Sequence, residues 1–387
     1  MTSEMHQDDI KHPRVGGYNV YYGLLHSHSV VSDGAGDPPD HRRGSPDNAY
    51  RFARDVAELD FFSLADHSNA YHRNFNTRWP KSAFDLIYKA AQHHYEPERF
   101  VSLAGFEITT SNMGHISVIY NPSVKYSMAD NYYYVHTNID IAELNDFYKW
   151  LDTQPAVGFF NHPGEYLWDS WYPGVGWGPE FNFFNKVDGI WSHRVVGMEL
   201  FNGNNGFEHY YYKYKWKRMA SKLVSDGVNT LEADNAYDEA LKKGWRIGAA
   251  GSDDNHSMRW GTMNDCRLAV LANNLTRADI FSALENRRFY STMDKNLAVS
   301  FSIDGNEMGS TIAAGECMIR IEAYNTTDTK IDKLRLLKNG TEIENWQFGE
   351  THPIVCCQVV TDVGDYFYAI VTQENGREAI TSPIWVE

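Results

Sequence analysis

Between residues 18 and 256, six short apolar runs each stop at a histidine or an acid. "GLL" precedes His26 and His28, and "FFSLA" precedes Asp66 and His67. "VSLAGF" leads to Glu107, "VGFFN" to His162, "VVGM" to Glu199, and "IGAAGS" to Asp253, Asp254 and His256. Polar loops that held such residues by accident would have no reason to keep phase with the ends of apolar runs. Short runs rich in Val, Ile and Phe read as buried strands. The stretches between them read as amphipathic helices. One opens at Ser45-Pro46, a cap followed by proline at the first helical position, and others are "KSAFDLIYKAAQHH", "DIAELNDFYKWLD", "EHYYYKYKWKRMASKLVSD" and "TRADIFSALENRR". Repeated strand-then-helix units over residues 1–295 predict an α/β fold, a parallel sheet closed into a barrel. The strand ends of a barrel converge on one face, so residues far apart in sequence would meet there.

After Lys295 the pattern changes to strands without intervening helices, with Asn339-Gly340 and Asn375-Gly376 as two-residue hairpin turns. Residues 296–387 therefore predict a small immunoglobulin-like β-sandwich. The chain has 35 Lys and Arg against 51 Asp and Glu, a net charge of −16, which disfavours extended nucleic acid and anionic membranes as partners. A local pocket for a small anionic substrate is compatible with that balance. No apolar run is long enough to span a bilayer. The N-terminal "MTSEMHQDDIKHP" has no signal-peptide core, which favours the cytoplasm, although a leader already removed would leave no trace. The four cysteines have no CxxC spacing, so they predict free thiols rather than a disulfide framework.

Imidazoles and carboxylates in this proportion suit Zn, Mn or Fe, whereas an all-oxygen set would suit Mg or Ca. The donors are too many for one ion, so two or three divalent transition-metal ions are expected. Close-packed carboxylates without cations would also be costly.

In this order, "GLLHSHSVVSDG", "SLADHSN", "GFEITTSNMGHIS", "FFNHP" and "AGSDDNHS" resemble the polymerase-and-histidinol-phosphatase (PHP) superfamily of metal-dependent hydrolases. The downstream "GTMNDCRLAVLANNLTRADIFSALENRRFYST" and the trailing strands are similar to its CehA/McbA-like branch. The resemblance covers nearly the whole chain and implies a distorted (β/α)7-type barrel. It also implies ligands. His26 and His28 would hold a first metal with Glu107 and one aspartate of "SDDNH"; Glu107 would bridge to a second metal held by His115 and His162. Asp33, His67 and His256 would hold a third. The "GSDDNH" segment is one residue longer than the family's GSD-x-H, so either Asp253 or Asp254 could be the ligand. Alternation along an extended segment favours Asp254, on the same side as His256.

Asp66 and Glu199 are expected to orient ligands, and Asp66 or the unliganded aspartate could shuttle a proton. His193, Arg194 and Arg259 could grip an anionic substrate. His93 and His94 read as surface residues of a helix. The aromatic segments "DNYYYVH" and "EYLWDSWYPGVGWGPEFNFF" could wall or cover the site. Together these features predict a metal-dependent phosphoesterase whose hydroxide, held between two ions, attacks phosphorus in line. The alternatives are a carbon-ester, carbamate or amide hydrolase on the same metals, or a non-catalytic module that binds glycans or a partner.

Overall fold

The computed structural model describes residues 12–34, 40, 42–68, 83–110, 114–122, 141–163, 191–203, 209–210 and 235–387. The aromatic segments at 130–136 and 165–184 lie outside them, as does the expected helix at 208–226 apart from two residues.

The first half carries β1 (Arg14–Val15), β2 (Tyr18–Leu24), α1 (Pro46–Asp55), β3 (Phe61–Leu64), α2 (Ala83–His94), β4 (Val101–Thr110) and β5 (Gly114–Tyr120). It continues with α3 (Ile141–Asp152), β6 (Ala156–Phe160), β7 (Val195–Asn202), β8 (His209–Tyr210), α4 (Ala236–Lys242) and β9 (Gly248–Ser252). Then come β10 (Arg267–Ala272), α5 (Arg277–Glu285), β11 (Phe289–Thr292), β12 (Leu297–Ile303), β13 (Asn306–Glu307) and β14 (Thr311–Ile312). The chain ends with β15 (Gly315–Asn325), β16 (Ile331–Lys338), β17 (Thr341–Glu350), β18 (Ile354–Thr361), β19 (Tyr366–Gln373), β20 (Glu378–Thr381) and β21 (Ile384–Val386). Three helices start on side-chain caps: Ser45, Asn235 and Thr276 accept the N–H groups of Asn48, Asp238 and Asp279, and Pro46 fills the first position of α1.

The (β/α)7-type barrel expected from the sequence is not the fold. Among the described residues strand accounts for 46% and helix for 18%, and the helices there number five, all short. Thirteen strands form the main run of one curled sheet, in the order β17-β16-β19-β20-β11-β10-β2-β3-β4-β5-β6-β7-β9, and the short β1, β8, β14 and β21 pair along it. Only two runs of it, β2-β3-β4 and β6-β7-β9, are parallel. Crossovers do not join every pair of neighbouring strands. Three residues separate β4 from β5, too few for a crossover, and the two pair antiparallel. β5 and β6 are antiparallel, as are β10 and β11 despite the intervening α5. β10 also runs antiparallel to β2. Apolar periodicity marks where strands lie but carries no information about their direction. His209–Tyr210 likewise pair with β7 as β8, where a helix was expected.

The sheet curls until β9 lies against β10 and β11. A Cβ on Gly251 would come within 2.2 Å of the Arg267 carbonyl oxygen, so only glycine admits the backbones this close. Alternation sends successive strand residues to opposite faces: Phe62 and Phe106 pack with helix residues Tyr50, Ile87 and Phe147, while Phe61, Val101 and Leu103 pack with Ile280 and Phe281 of α5. Each such side chain, fully buried, contributes about 1.5–3 kcal/mol of hydrophobic stabilisation.

The β13-β12-β15-β18 sheet lies over the C-terminal strands of the large sheet, with Val299, Phe301, Ile319 and Ile321 meeting Leu334, Leu336, Phe367 and Val371. Asn339-Gly340 turns β16 into β17, with both residues at positive φ. The boundary expected near residue 295 falls between β11 and β12, and the ladder between β11 and β20 crosses it. All four cysteines are free. Among the described residues, no helix is long and apolar enough to cross a membrane.

Candidate metal centre

The backbone of residues 26–28 runs beside that of 254–255 as an extension of the sheet. The His28 N–H donates to the Asn255 carbonyl at 3.0 Å and the Asp254 N–H to the His26 carbonyl at 3.1 Å. Three further clamps hold this pair of segments. Asp253 accepts from the Ser27 hydroxyl at 2.7 Å and from the Gly261 N–H at 2.8 Å. The Trp260 indole donates to the His28 carbonyl at 2.8 Å. Asp66 accepts from the N–H and hydroxyl groups of both Ser29 and Ser32, at 2.6–3.0 Å. The turn between His28 and Asp33 is thus tied down from beneath.

Glu107 lies at the centre, fully buried within β4. Its Oε1 faces one set of groups: His115 Nδ1 at 3.1 Å, His26 Nε2 at 3.2 Å and His162 Nε2 at 3.5 Å. Its Oε2 faces another: His67 Nδ1 at 2.5 Å and His28 Nε2 at 4.0 Å. Asp254 Oδ1 lies 3.1 Å from His26 Nε2 and 3.0 Å from His28 Nε2. Asp33, the most open member with its side chain 55% exposed, reaches His67 Nε2 at 3.5 Å and His256 Nε2 at 3.3 Å.

The nine residues expected as ligands therefore meet. They fall into overlapping groups, His28–Asp33–His67–His256, His26–His28–Asp254, His26–Glu107–His162 and His67–Glu107–His115, each with ligand atoms within 4.8 Å of one another. The partition differs from the expected one: His28 also joins the Asp33 group, and His115 and His162 do not share a group, since His162 meets Glu107 beside His26 and His115 meets it beside His67.

Burial favours neutral imidazole and drives His28 down to about 3 and His115 to about 4. In His26, His67 and His256 the neighbouring carboxylates outweigh burial and raise the pKa, to about 9 for His256. For Glu107 and Asp254 burial pushes upward, but the facing histidines win and hold both well below the usual carboxylate range. Protons on imidazoles thus balance the acids where cations would otherwise do so. The donor chemistry fits borderline divalent ions, and these buried clusters could hold them.

The other residues singled out divide sharply. Glu199 touches a ligand: its Oε1 is 2.8 Å from His26 Nδ1, and its Oε2 accepts from the His162 N–H at 2.7 Å and from Asn202 Nδ2 at 3.1 Å. Asp253 and Asp66 are engaged by loop donors and hold backbone. Arg194 precedes β7, roughly 16 Å along the strand from Glu199, and pairs with Glu285 at 2.7 Å. His193 is 62% exposed and pairs with Asp152. Neither is brought to the cluster. Arg259 is exposed on the turn just after His256. His94, expected at the surface, is buried against Tyr50.

Sequence reasoning missed Asn161, whose Nδ2 donates to Glu107 Oε1 at 2.7 Å and to the Ser117 hydroxyl at 3.0 Å. It also missed Thr109, whose hydroxyl lies 2.6 Å from His67 Nδ1 and 3.2 Å from Glu107 Oε2. Each is adjacent to, or one turn of the pleat from, a residue already under suspicion; that proximity was the available signal.

No family model matches the chain. It is 27% identical over 95% of its length to an uncharacterized protein of Chlamydia muridarum, and equally so to one of Chlamydia trachomatis; in each case it spans 58% of the relative's length. A Chlamydia pneumoniae protein is 21% identical over the same share of the chain. Among solved structures, PsfC from Pseudomonas syringae aligns over 65% of this chain and 82% of its own, with 12% identity and a TM-score of 0.35. An endonuclease Q complex with an abasic duplex aligns over 69% and 56%, with 11% identity and a TM-score of 0.36.

Proposed function

We propose that the protein is a metal-dependent hydrolase, acting on phosphoesters, with two or three divalent transition-metal ions (Zn, Mn or Fe) held by His26, His28, Asp33, His67, Glu107, His115, His162, Asp254 and His256. The observation that carries this reading is the division of Glu107: one carboxylate presents its two oxygens to two separate histidine sets. The order of motifs, which resembles the PHP superfamily, supports it too. Such ions, when bound, supply Lewis acidity that activates water and offsets phosphoryl charge.

The chain's own residues then have defined tasks. Glu199 holds the His26 ring so that Nε2 faces inward. Asn161 fixes Glu107 Oε1, and Thr109 lies between His67 and Oε2. Burial of His26, Glu107, His115, His162 and Asp254 keeps bulk water from the inner part of the cluster. The half-exposed Asp33, with partly exposed His67 and His256, forms the side open to a substrate. Arg259, exposed three residues after His256, would meet an anionic group there.

The withdrawal of Arg194 and His193 from the cluster favours a second reading, hydrolysis of a carbon ester, carbamate or amide on the same metals. Metal-loaded protein tested on aryl phosphates, aryl esters and aryl carbamates separates the two. Turnover of phosphates, abolished by chelator and by Glu107→Gln, is the expected result; no turnover of any of these substrates with Zn, Mn or Fe would overturn hydrolase activity altogether.

A further inference from the structure

A second set of donors lies outside the cluster around Glu107 and shares no residue with it. Asp47, in the first turn of α1, and His93 and His94, the last two residues of α2, have ligand atoms within 4.8 Å of one another. His94 is 5% exposed, its ring stacked on Tyr50 with centroids 6.3 Å apart, and its Nε2 lies 2.9 Å from Asp47 Oδ1. The His93 ring stands edge-on to it at 4.9 Å. One imidazole is therefore locked by packing, while the other two donors stand at the surface, where their rotamers can adjust.

The local charge also points to a cation. Among the described residues the ion pair Asp47 makes is with His94, while nearby Arg54 is in contact with Asp55 and Glu96. Two imidazole nitrogens and one carboxylate oxygen make a borderline donor set, with metal–ligand bonds of about 2.0–2.2 Å that place donors roughly 3–3.5 Å apart. His94 and Asp47, 2.9 Å apart, already lie close to that spacing. His93, at the surface, would rotate to close the third side.

We propose that Asp47, His93 and His94 form a separate site for one divalent ion of the zinc, nickel or copper class, which ties α1 to α2. The remaining coordination positions face solvent and would be filled by water. Its role would be to staple the two helices that cover β3 and β4, not to take part in hydrolysis.

The test is the zinc content of the full chain after equilibrium dialysis against buffered free zinc, compared between wild type, His93→Ala and Asp47→Asn. Each variant is expected to hold about one zinc fewer than wild type, while Glu107→Gln keeps that ion. The readout is a difference between variants, so it stands whatever the Glu107 cluster takes up. His93 is exposed, so His93→Ala leaves the fold intact; circular dichroism melts check this. With Cu(II), the wild-type EPR spectrum should contain a nitrogen-coordinated component that His93→Ala lacks. Equal zinc content in wild type and folded His93→Ala, with identical Cu(II) spectra, would overturn the site and leave Asp47–His94 as a plain hydrogen-bonded pair.

Discussion

Glu199 Oε1 stands 2.8 Å from His26 Nδ1, and this contact decides which nitrogen of His26 looks into the cluster. With Nδ1 engaged, Nε2 is turned toward Glu107, Asp254 and His28. Glu199→Gln keeps the volume and removes the charge that holds the ring. Affinity for zinc should fall by roughly 10–100-fold, measured by chelator competition, with little change in melting temperature. An unaltered affinity would show that the Glu199 contact does not tune the ligand.

Asp253 and Asp254 are neighbours with opposite tasks. Asp254→Asn should weaken metal binding while leaving the fold in place, since its oxygen faces His26 and His28. Asp253→Asn should instead cost about 1–3 kcal/mol of stability, because it loses one acceptor for Ser27 or Gly261. Urea titrations and zinc titrations of both variants read the two effects separately. If Asp253→Asn lost metal as severely as Asp254→Asn, the assignment would be wrong.

Metal uptake should release protons. His256, raised to about 9 by Asp254 and Asp33 against the pull of burial, carries a proton at neutral pH that an ion must displace. Apparent affinity should therefore climb from pH 7 toward pH 9, by about tenfold per unit for one proton released. Calorimetry in buffers of different ionisation enthalpy counts the protons. A pH-independent affinity over this range would contradict the charge balance described above.

Glu307 gives a stability prediction away from the cluster. Burial pushes its pKa up to about 7, its Oε1 accepts from the Ser300 hydroxyl at 2.7 Å, and its Oε2 has no partner among the described residues. The folded state prefers the neutral acid. Its contribution is complete below the unfolded pKa near 4.5 and is lost as pH rises through about 7, up to about 3 kcal/mol in all. Glu307→Gln does not titrate, so its melting temperature should exceed that of wild type at pH 8 and not at pH 5. Parallel melting curves for the two proteins at both pH values would refute this.

The cluster was more legible in the sequence than the fold around it. His26, His67, His162 and His256 announce themselves because each follows an apolar run, and strands that share a sheet bring their ends together whichever way the sheet closes. Direction was not legible. Nothing in "GFEITTSNMGHIS" distinguishes a crossover from a hairpin except its length, and that length makes β4 and β5 antiparallel. Asp254 faces the histidines, but not through strand alternation. Asp254 has φ 42°, a left-handed kink rather than an extended segment. His193 and Arg194, expected to grip a substrate, precede β7, which puts them at its far end from Glu199. Asp66, read as a proton carrier, is occupied by four donors from Ser29 and Ser32. Charge and spacing identify ionisable residues, but only three-dimensional contacts tell which already have work.

The ladder between Tyr290–Thr292 and Ala379–Thr381 has a practical corollary for anyone trimming this chain. A product cut near Lys295 would leave Phe289–Thr292 with bare amide and carbonyl groups along one side, an invitation to stack against a neighbouring molecule. Such a fragment is expected to precipitate, or to associate through that rim, before its histidines can be titrated with anything.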